Sequence, residues 1–265
     1  MMVVAKKAIV LISFGAKDQE TRTVYIDSLT AKVKSRFCEY DVFHVFTSRF
    51  IIENLHQNNI KIFSLSEILA KLEQSGYQEV LLQPTHISDG TEYSDKIVKV
   101  AIAYKDSFSK LIIGKPAIVL GENEVEVLNV LAKQASNLKL GEEAVFMGHG
   151  SPSKHNPIYE RLQRIADGLY DNITIGVLEE NDYPNFSMVL NRLQKKRRQS
   201  VCLQPLLFTA GYHVMKDLAG TSNSWQSRLE AAGFSVRVHK AGLGANANFQ
   251  EIYLQRLKTM KNDIL

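Results

Sequence analysis

One five-residue segment occurs in two near-copies. Val80-Leu81-Leu82-Gln83-Pro84 stands against Val201-Cys202-Leu203-Gln204-Pro205, at an offset of 121 residues. The same offset carries Gly90 onto Gly211 and Glu92 onto His213. At the start of each half, Ser13-Phe14-Gly15 mirrors Gly148-His149-Gly150 at an offset of 135. Repetition on this scale means that one structural unit is used twice, which constrains the fold more than any single motif does. The repeated segments read as strand ends with the turns that follow them. In open parallel α/β sheets those turns line the ligand crevice.

Hydrophobic patterning gives the unit its content. The run 8–13 is continuously apolar, as a strand buried on both faces requires. Residues 19–37 place Tyr25, Leu29, Val33 and Phe37 on one helical face. Further strands are expected at 42–46 and 80–83, with a fourth at 111–113 or 117–120. Ser64-x-x-Glu67 has capping-box spacing and opens a helix to about residue 74, which Gly76 is placed to end. A helix carrying Ile97, Val100, Ala101 and Tyr104 follows the third strand, and a helix at 122–136 joins the halves. The pattern then restarts. Strands at 144–147, 173–177, 201–204 and 234–238 alternate with helices at 159–169, 185–196, 213–232 (broken near Gly220) and from about 247. The expected fold is α/β: two similar domains, each a parallel sheet flanked by helices. The domains run over 1–125 and 126–265, with the last helix, about 247–262, free to pack back on the first.

A chain of 265 residues, 45% apolar and 23% charged, suits two ordinary globular domains and excludes disordered and fibrous classes. The 32 Lys and Arg against 28 Asp and Glu leave +4. That is too even for a nucleic-acid binder, yet it favours an anionic small molecule if focused in a cleft. Cys38 and Cys202 form no C-x-x-C and read as reduced, buried small hydrophobes. Lys6-Lys7 before the apolar run 8–12 loosely imitates a signal peptide. The run is short, no small-x-small site follows it, and a buried first strand explains it better. No apolar stretch reaches the roughly 20 residues of a membrane helix, so the expected location is cytoplasmic.

The repeat selects four equivalent positions: Phe14, Glu92, His149 and His213. Each follows a strand and neighbours a glycine that permits close backbone approach. Two histidines and one glutamate make a workable three-ligand set for a borderline divalent cation, with a position left open for exchange. Each residue also has a purely structural reading. His149 and His213 fit turn or cap histidines, and Glu92 fits a carboxylate offsetting a helix dipole. Of the other histidines, His155 precedes Asn156-Pro157 and reads as a surface-loop residue or a further ligand. His86 has no histidine counterpart, since Leu207 takes its place. His44, alternating with Val42, Phe43, Val45 and Phe46, reads as a satisfied, half-buried histidine; His56 and His239 read as surface. There is no P-loop, no G-x-G-x-x-G, no G-x-S-x-G elbow, no HExxH and no zinc-ribbon spacing, so no ATP or other nucleotide is expected. Lys195-Lys196-Arg197-Arg198 reads as a solvated, dipole-favoured helix end.

Several segments resemble one family. Phe146-Met147-Gly148-His149-Gly150, Phe46-Thr47-Ser48, Gln83-x-x-His86-Ile87-x-x-Gly90-x-Glu92-Tyr93 and Ala210-Gly211-x-His213 are similar to the anaerobic-pathway sirohydrochlorin cobaltochelatases of the class II tetrapyrrole chelatases. Ser224-Trp225 and Gly242-Leu243-Gly244 fit the same family, so the likeness runs from Ser13-Phe14-Gly15 to Gly244 in family order. It implies two α/β domains with a cleft between them. It also implies that the metal histidines are His149 and His213 and that the metal glutamate is Glu92. Three departures stand out. Tyr212 replaces the usual Asp before the second histidine, Lys216-Asp217-Leu218 replaces Asn-Asp-Met, and Ala245 replaces a common Glu. They leave the ligands intact and bear on their surroundings.

The resemblance implies insertion of Co2+, as the substrate metal, into sirohydrochlorin, a precorrin-2-derived tetrapyrrole, without ATP. His149 and His213 would hold the metal, and Glu92 would complete the site or accept pyrrole protons. Phe14, Arg49, Lys17 and Lys154 are the candidates for contact with the macrocycle, the three cations through its carboxylates. An N/O donor set also accepts Fe2+ or Ni2+. Ferrochelation toward sirohaem, a non-catalytic tetrapyrrole or metal carrier, and a two-domain solute-binding protein are the alternatives. No nucleic acid or membrane partner is expected, and a homo-oligomer is left open.

Overall fold

A computed structural model describes residues 5–211, 214–220 and 222–263. The chain divides into two compact units, Met1–Ala117 with Gln250–Leu265, and Ile118–Phe249. The division thus falls at 117/118, where the sequence reading draws it at 125/126, and the helix Ala247–Asn262 belongs to the first unit from Gln250 onward.

The first unit holds four parallel strands, β1 (Lys6–Ser13), β2 (Asp41–Phe46), β3 (Tyr77–Pro84) and β4 (Lys110–Ile113), in the order β2-β1-β3-β4. Of the two sites considered for the fourth strand, 110–113 is the one used. Residues 8–12 of β1 are fully buried because helices cover both faces of the sheet. On one face Ala8, Val10, Ile12, Val80 and Leu82 pack on Leu65, Ile68, Leu69 and Leu72 of the helix Leu65–Gln74 and on Ile97 and Ala101. That helix opens with the expected capping box. Ser64 Oγ accepts from Glu67 N–H at 3.4 Å, and Ser64 N–H donates to Glu67 Oε2 at 2.7 Å. Ser64→Ala is expected to lower unfolding stability by about 1 kcal/mol, measured by urea titration; no change would mean the cap is redundant.

The second unit repeats the arrangement. Its strands β5 (Glu142–Gly148), β6 (Ile173–Val177), β7 (Ser200–Pro205) and β8 (Ser235–Val238) are parallel, in the order β6-β5-β7-β8. Val145, Met147, Val201 and Leu203 pack on Phe186, Val189 and Leu193 and on Trp225 and Leu229. Phe186 and Trp225 meet edge to face at 5.2 Å. Gly176 in β6 makes room for Trp225 and Val189: a Cβ there would lie 2.6 Å from both Trp225 Cη2 and Val189 Cγ2. Gly176→Ala should therefore overpack the core and cost about 2 kcal/mol, visible as a lower unfolding midpoint; an unchanged midpoint would contradict this packing.

The duplicated sequence is thus a duplicated topology. In each unit the chain leaves the first strand to one side and returns to place the third on the other. The switch point lies at β1/β3 in the first unit and at β5/β7 in the second, and ligand crevices of open α/β sheets form outside the carboxyl ends of such strands.

Three sequence readings are corrected. A helix at Arg49–Gln57, opened by Ser48 and burying Ile51, Ile52 and Leu55, was not expected. Cys38 is exposed in the turn after the helix Ser28–Arg36, whereas Cys202 is buried in β7. The basic run is not merely a solvated end. Lys196 Nζ and Arg198 Nε donate to Glu143 Oε1 and Oε2 at 2.7 and 2.8 Å, neutralising a fully buried carboxylate on β5. Among the described residues, no helix is long and apolar enough to cross a membrane.

Candidate functional site

In the first unit, the turn after β1 carries Phe14 and Lys17. Gly15 there has φ +111°, and a Cβ would lie 2.7 Å from the Phe46 ring, so the turn needs glycine. Phe14 is 51% exposed. Thr47 N–H donates to Ser13 O at 2.9 Å and Ser48 N–H to Phe14 O at 3.2 Å, tying the β1 and β2 ends together. Ser48 then caps the helix Arg49–Gln57, whose first residues, Arg49 and Phe50, are exposed.

The segment after β3 is firmly anchored. Thr85 N–H donates to Ile12 O at 2.8 Å, Tyr253 Oη–H to Thr85 O at 2.9 Å, and Ala117 N–H to His86 O at 2.9 Å. Glu92 lies in the helical turn Thr91–Tyr93, half-buried, with Oε1 shielded from solvent and lacking a hydrogen bond. Both ring nitrogens of His86 are likewise shielded and unpaired. A carboxylate oxygen and an imidazole left in this condition cost stability.

His44 is half-buried with both ring nitrogens bonded, as its alternation pattern implies. Thr30 Oγ1 already donates to Ile26 O, so it accepts from His44 Nδ1–H at 3.0 Å, and His44 Nε2 accepts from Ser13 Oγ–H at 2.8 Å. Burial pushes the His44 imidazole down to about 3 and that of His86 down to about 4. Both are neutral in the fold but protonate near the ordinary value once unfolded. The unfolded chain therefore binds more protons below that value, and stability falls as pH falls. The unfolding temperature should drop between about pH 7 and pH 5; a midpoint that holds level over that interval would contradict buried neutral histidines.

In the second unit His149 directly follows the central strand β5 and is 40% exposed. Leu178 N–H donates to Gly148 O at 2.9 Å and Glu179 N–H to His149 O at 3.1 Å, which continues the β5–β6 pairing past the strand ends. Glu179 Oε1 is thereby held 3.6 Å from His149 Nδ1. The sequence reading missed Glu179, which no repeat partner marks. Applying the carboxyl-end rule to β6 as well as β5 would have found it.

His155 is neither a free surface histidine nor available as a ligand. Its Nδ1 lies 2.6 Å from Asp182 Oδ1 and its Nε2 3.1 Å from Glu160 Oε2. Asp182 is fully buried and accepts from the backbone N–H groups of Ser151, Asn156 and Tyr183 at 2.8, 3.1 and 2.9 Å. This carboxylate stitches the loop after β5 to the loop after β6. Lys154 is exposed on the first of these loops.

His213 and Tyr212 lie outside the described residues. The π-helical turn Val214–Leu218 follows them, and another, Ser94–Val98, follows Glu92 and Tyr93. These two of the three π-helical turns among the described residues, the third being Arg22–Asp27, occupy corresponding places in the two copies of the repeat. One-turn π insertions accompany functional sites more often than ordinary helix does. Among the described residues, no three His, Cys, Asp or Glu side chains gather in a metal-holding cluster.

Residues 7–262 match the family model described as "Cobalt chelatase (CbiK)". A relative from Salmonella typhimurium, named sirohydrochlorin cobaltochelatase, is 30% identical over 97% of this chain and 97% of its own. A second, from Nitratidesulfovibrio vulgaris, named sirohydrochlorin cobaltochelatase CbiKC, is 30% identical over 95% of this chain and 89% of its own. Among solved structures, SirB from Bacillus subtilis with Fe3+ superposes with a TM-score of 0.65 at 15% identity, covering 97% of this chain and 96% of that one. CbiX, described as the terminal enzyme for biosynthesis of siroheme in denitrifying bacteria, gives 0.56 at 18% identity, covering 96% and 99%. These two likenesses concern the fold.

Proposed function

We propose that this chain, which belongs to the cobalt chelatase family, inserts Co2+ into sirohydrochlorin without ATP. The supporting observation is the His149–Glu179 pair, held at the carboxyl end of the central strand β5 beside a switch point, inside a family match that spans residues 7–262. A neutral imidazole and a carboxylate suit a borderline divalent cation, and a partly exposed pair suits a metal that must leave.

His149 and His213 hold the incoming metal, and Glu179 adds charge beside His149; for Glu92 the resemblance implies either a third ligand or the acceptor of pyrrole protons, and its unbonded oxygen favours the second role. Insertion replaces two pyrrolic N–H bonds by metal–nitrogen bonds, so two protons must leave as the metal enters. Glu92, whose Oε1 makes no hydrogen bond within the protein, takes up these protons one at a time and releases each to solvent before the next. Lys17, Arg49 and Lys154, all exposed, supply cations for the macrocycle's carboxylates. Glu92→Gln keeps the shape and removes the acceptor. It should lower kcat about a hundredfold while metal-free sirohydrochlorin still binds, followed by absorbance change under anaerobic conditions; wild-type kcat in this variant would remove Glu92 from proton transfer.

A further inference from the structure

The first unit leaves two large aromatic side chains bare at its carboxyl-end edge, Phe14 at 51% and Phe50 at 66% exposure. Single exposed apolar residues are ordinary, but this arrangement is built. The loops that carry the two residues are tied by the Ser48 N–H to Phe14 O bond, and Ser48 caps the helix on which Phe50 is the second residue. Lys17 Nζ stands 3.8 Å from the Phe50 ring centroid, a cation–π contact. The Lys17 loop is itself fixed. Asp18 Oδ1 accepts from Thr21 N–H at 2.7 Å, and the Arg22 guanidinium donates to Ala16 O at 3.2 Å and to Lys17 O. Arg49 adjoins Phe50 and is exposed. A flat apolar face is thus presented from an anchored backbone, with one cation over the ring and a second exposed cation on the adjacent helix residue.

We infer that Phe50 is a substrate-binding platform, on which the tetrapyrrole lies face to ring while Lys17 and Arg49 take its carboxylates. The occupant is set by complementarity. A conjugated ring system edged with carboxylates matches an aromatic face edged with cations, and fixed loops lower the ordering cost of binding. Lys17 already covers the ring in the free protein. Binding of the macrocycle replaces one cation–π contact by stacking and turns the ammonium toward a carboxylate. This deepens the proposed function and rests on it. Phe50 lies outside the metal-holding set, so its contribution is to binding and not to the insertion step.

The test is steady-state Co2+ insertion with Phe50→Ala, Phe50→Trp and Lys17→Ala, together with sedimentation of each variant. Phe50→Ala should raise KM for sirohydrochlorin about tenfold with kcat within about twofold, because uniform binding is lost. Phe50→Trp should restore KM, and Lys17→Ala should raise it less while flattening its dependence on salt. Stability should not change, since the ring is exposed. An unchanged KM in Phe50→Ala overturns the inference, and so does an unchanged KM accompanied by a shift in oligomeric state, which would make the patch an interface between copies of this chain. If the wild-type protein turns over no sirohydrochlorin with any divalent metal, it is the proposed function that fails.

Discussion

His149→Ala should reduce Co2+ insertion at least about a hundredfold, with the unfolding midpoint close to that of the wild type. The effect is large because the role proposed for this residue is to hold the reacting metal. The structural cost is small because the ring is 40% exposed and the local backbone is held independently of it, by the Leu178 and Glu179 N–H bonds to Gly148 and His149 carbonyls. Glu179→Gln, which keeps the backbone bond and removes the charge 3.6 Å from Nδ1, should have a smaller effect of about tenfold, expressed mainly in the Co2+ dependence. Activity retained in His149→Ala would remove the metal from the β5 end.

Asp182→Ala should be the most destabilising single change at this edge. It deprives the N–H groups of Ser151, Asn156 and Tyr183 and the His155 ring of their shared acceptor. Each donor left unsatisfied in a buried place costs on the order of 1 kcal/mol or more, and water partly compensates once the loop opens, so a loss of about 3 kcal/mol is expected. Asp182→Asn keeps one carbonyl oxygen and should lose less. Insertion activity should fall with stability, because the same carboxylate fastens the loop that begins at His149. Equal urea midpoints for Asp182→Ala and wild type would show that the loop is held by something else.

The repeat was the most legible part of the sequence. Near-identity of 80–84 and 201–205 became β3 and β7, each third in its half and each beside the central strand. The capping box at Ser64 and Glu67 was legible because its bonds are local. Long-range features were not. Nothing near Lys196 or Arg198 in sequence announces Glu143, which reaches them only through the sheet. The helix Arg49–Gln57 was signalled by Ser48 and the Ile51, Ile52 and Leu55 spacing, but exposed Phe50 blurs its apolar stripe. The π turns were invisible, since one extra residue per turn is accommodated by packing rather than encoded by composition. At the candidate site, the repeat pointed to Phe14 and His149 because they follow matching first strands, and to Glu92 because it matches His213 beyond the third strands. It could not point to Glu179 or to the unpaired His86, because the corresponding position in the other copy carries no matching residue, Leu207 standing where His86 does.

Placing Co2+ in sirohydrochlorin, with no energy input beyond binding, is the activity proposed for this chain. Its most direct test follows the absorbance of sirohydrochlorin mixed anaerobically with Co2+ and the purified protein, without ATP. Catalytic conversion to the cobalt-loaded macrocycle is expected, well above the rate without protein, and faster with Co2+ than with Fe2+ at equal concentration. Tight binding of sirohydrochlorin with no acceleration of metal entry would contradict it and make the protein a carrier.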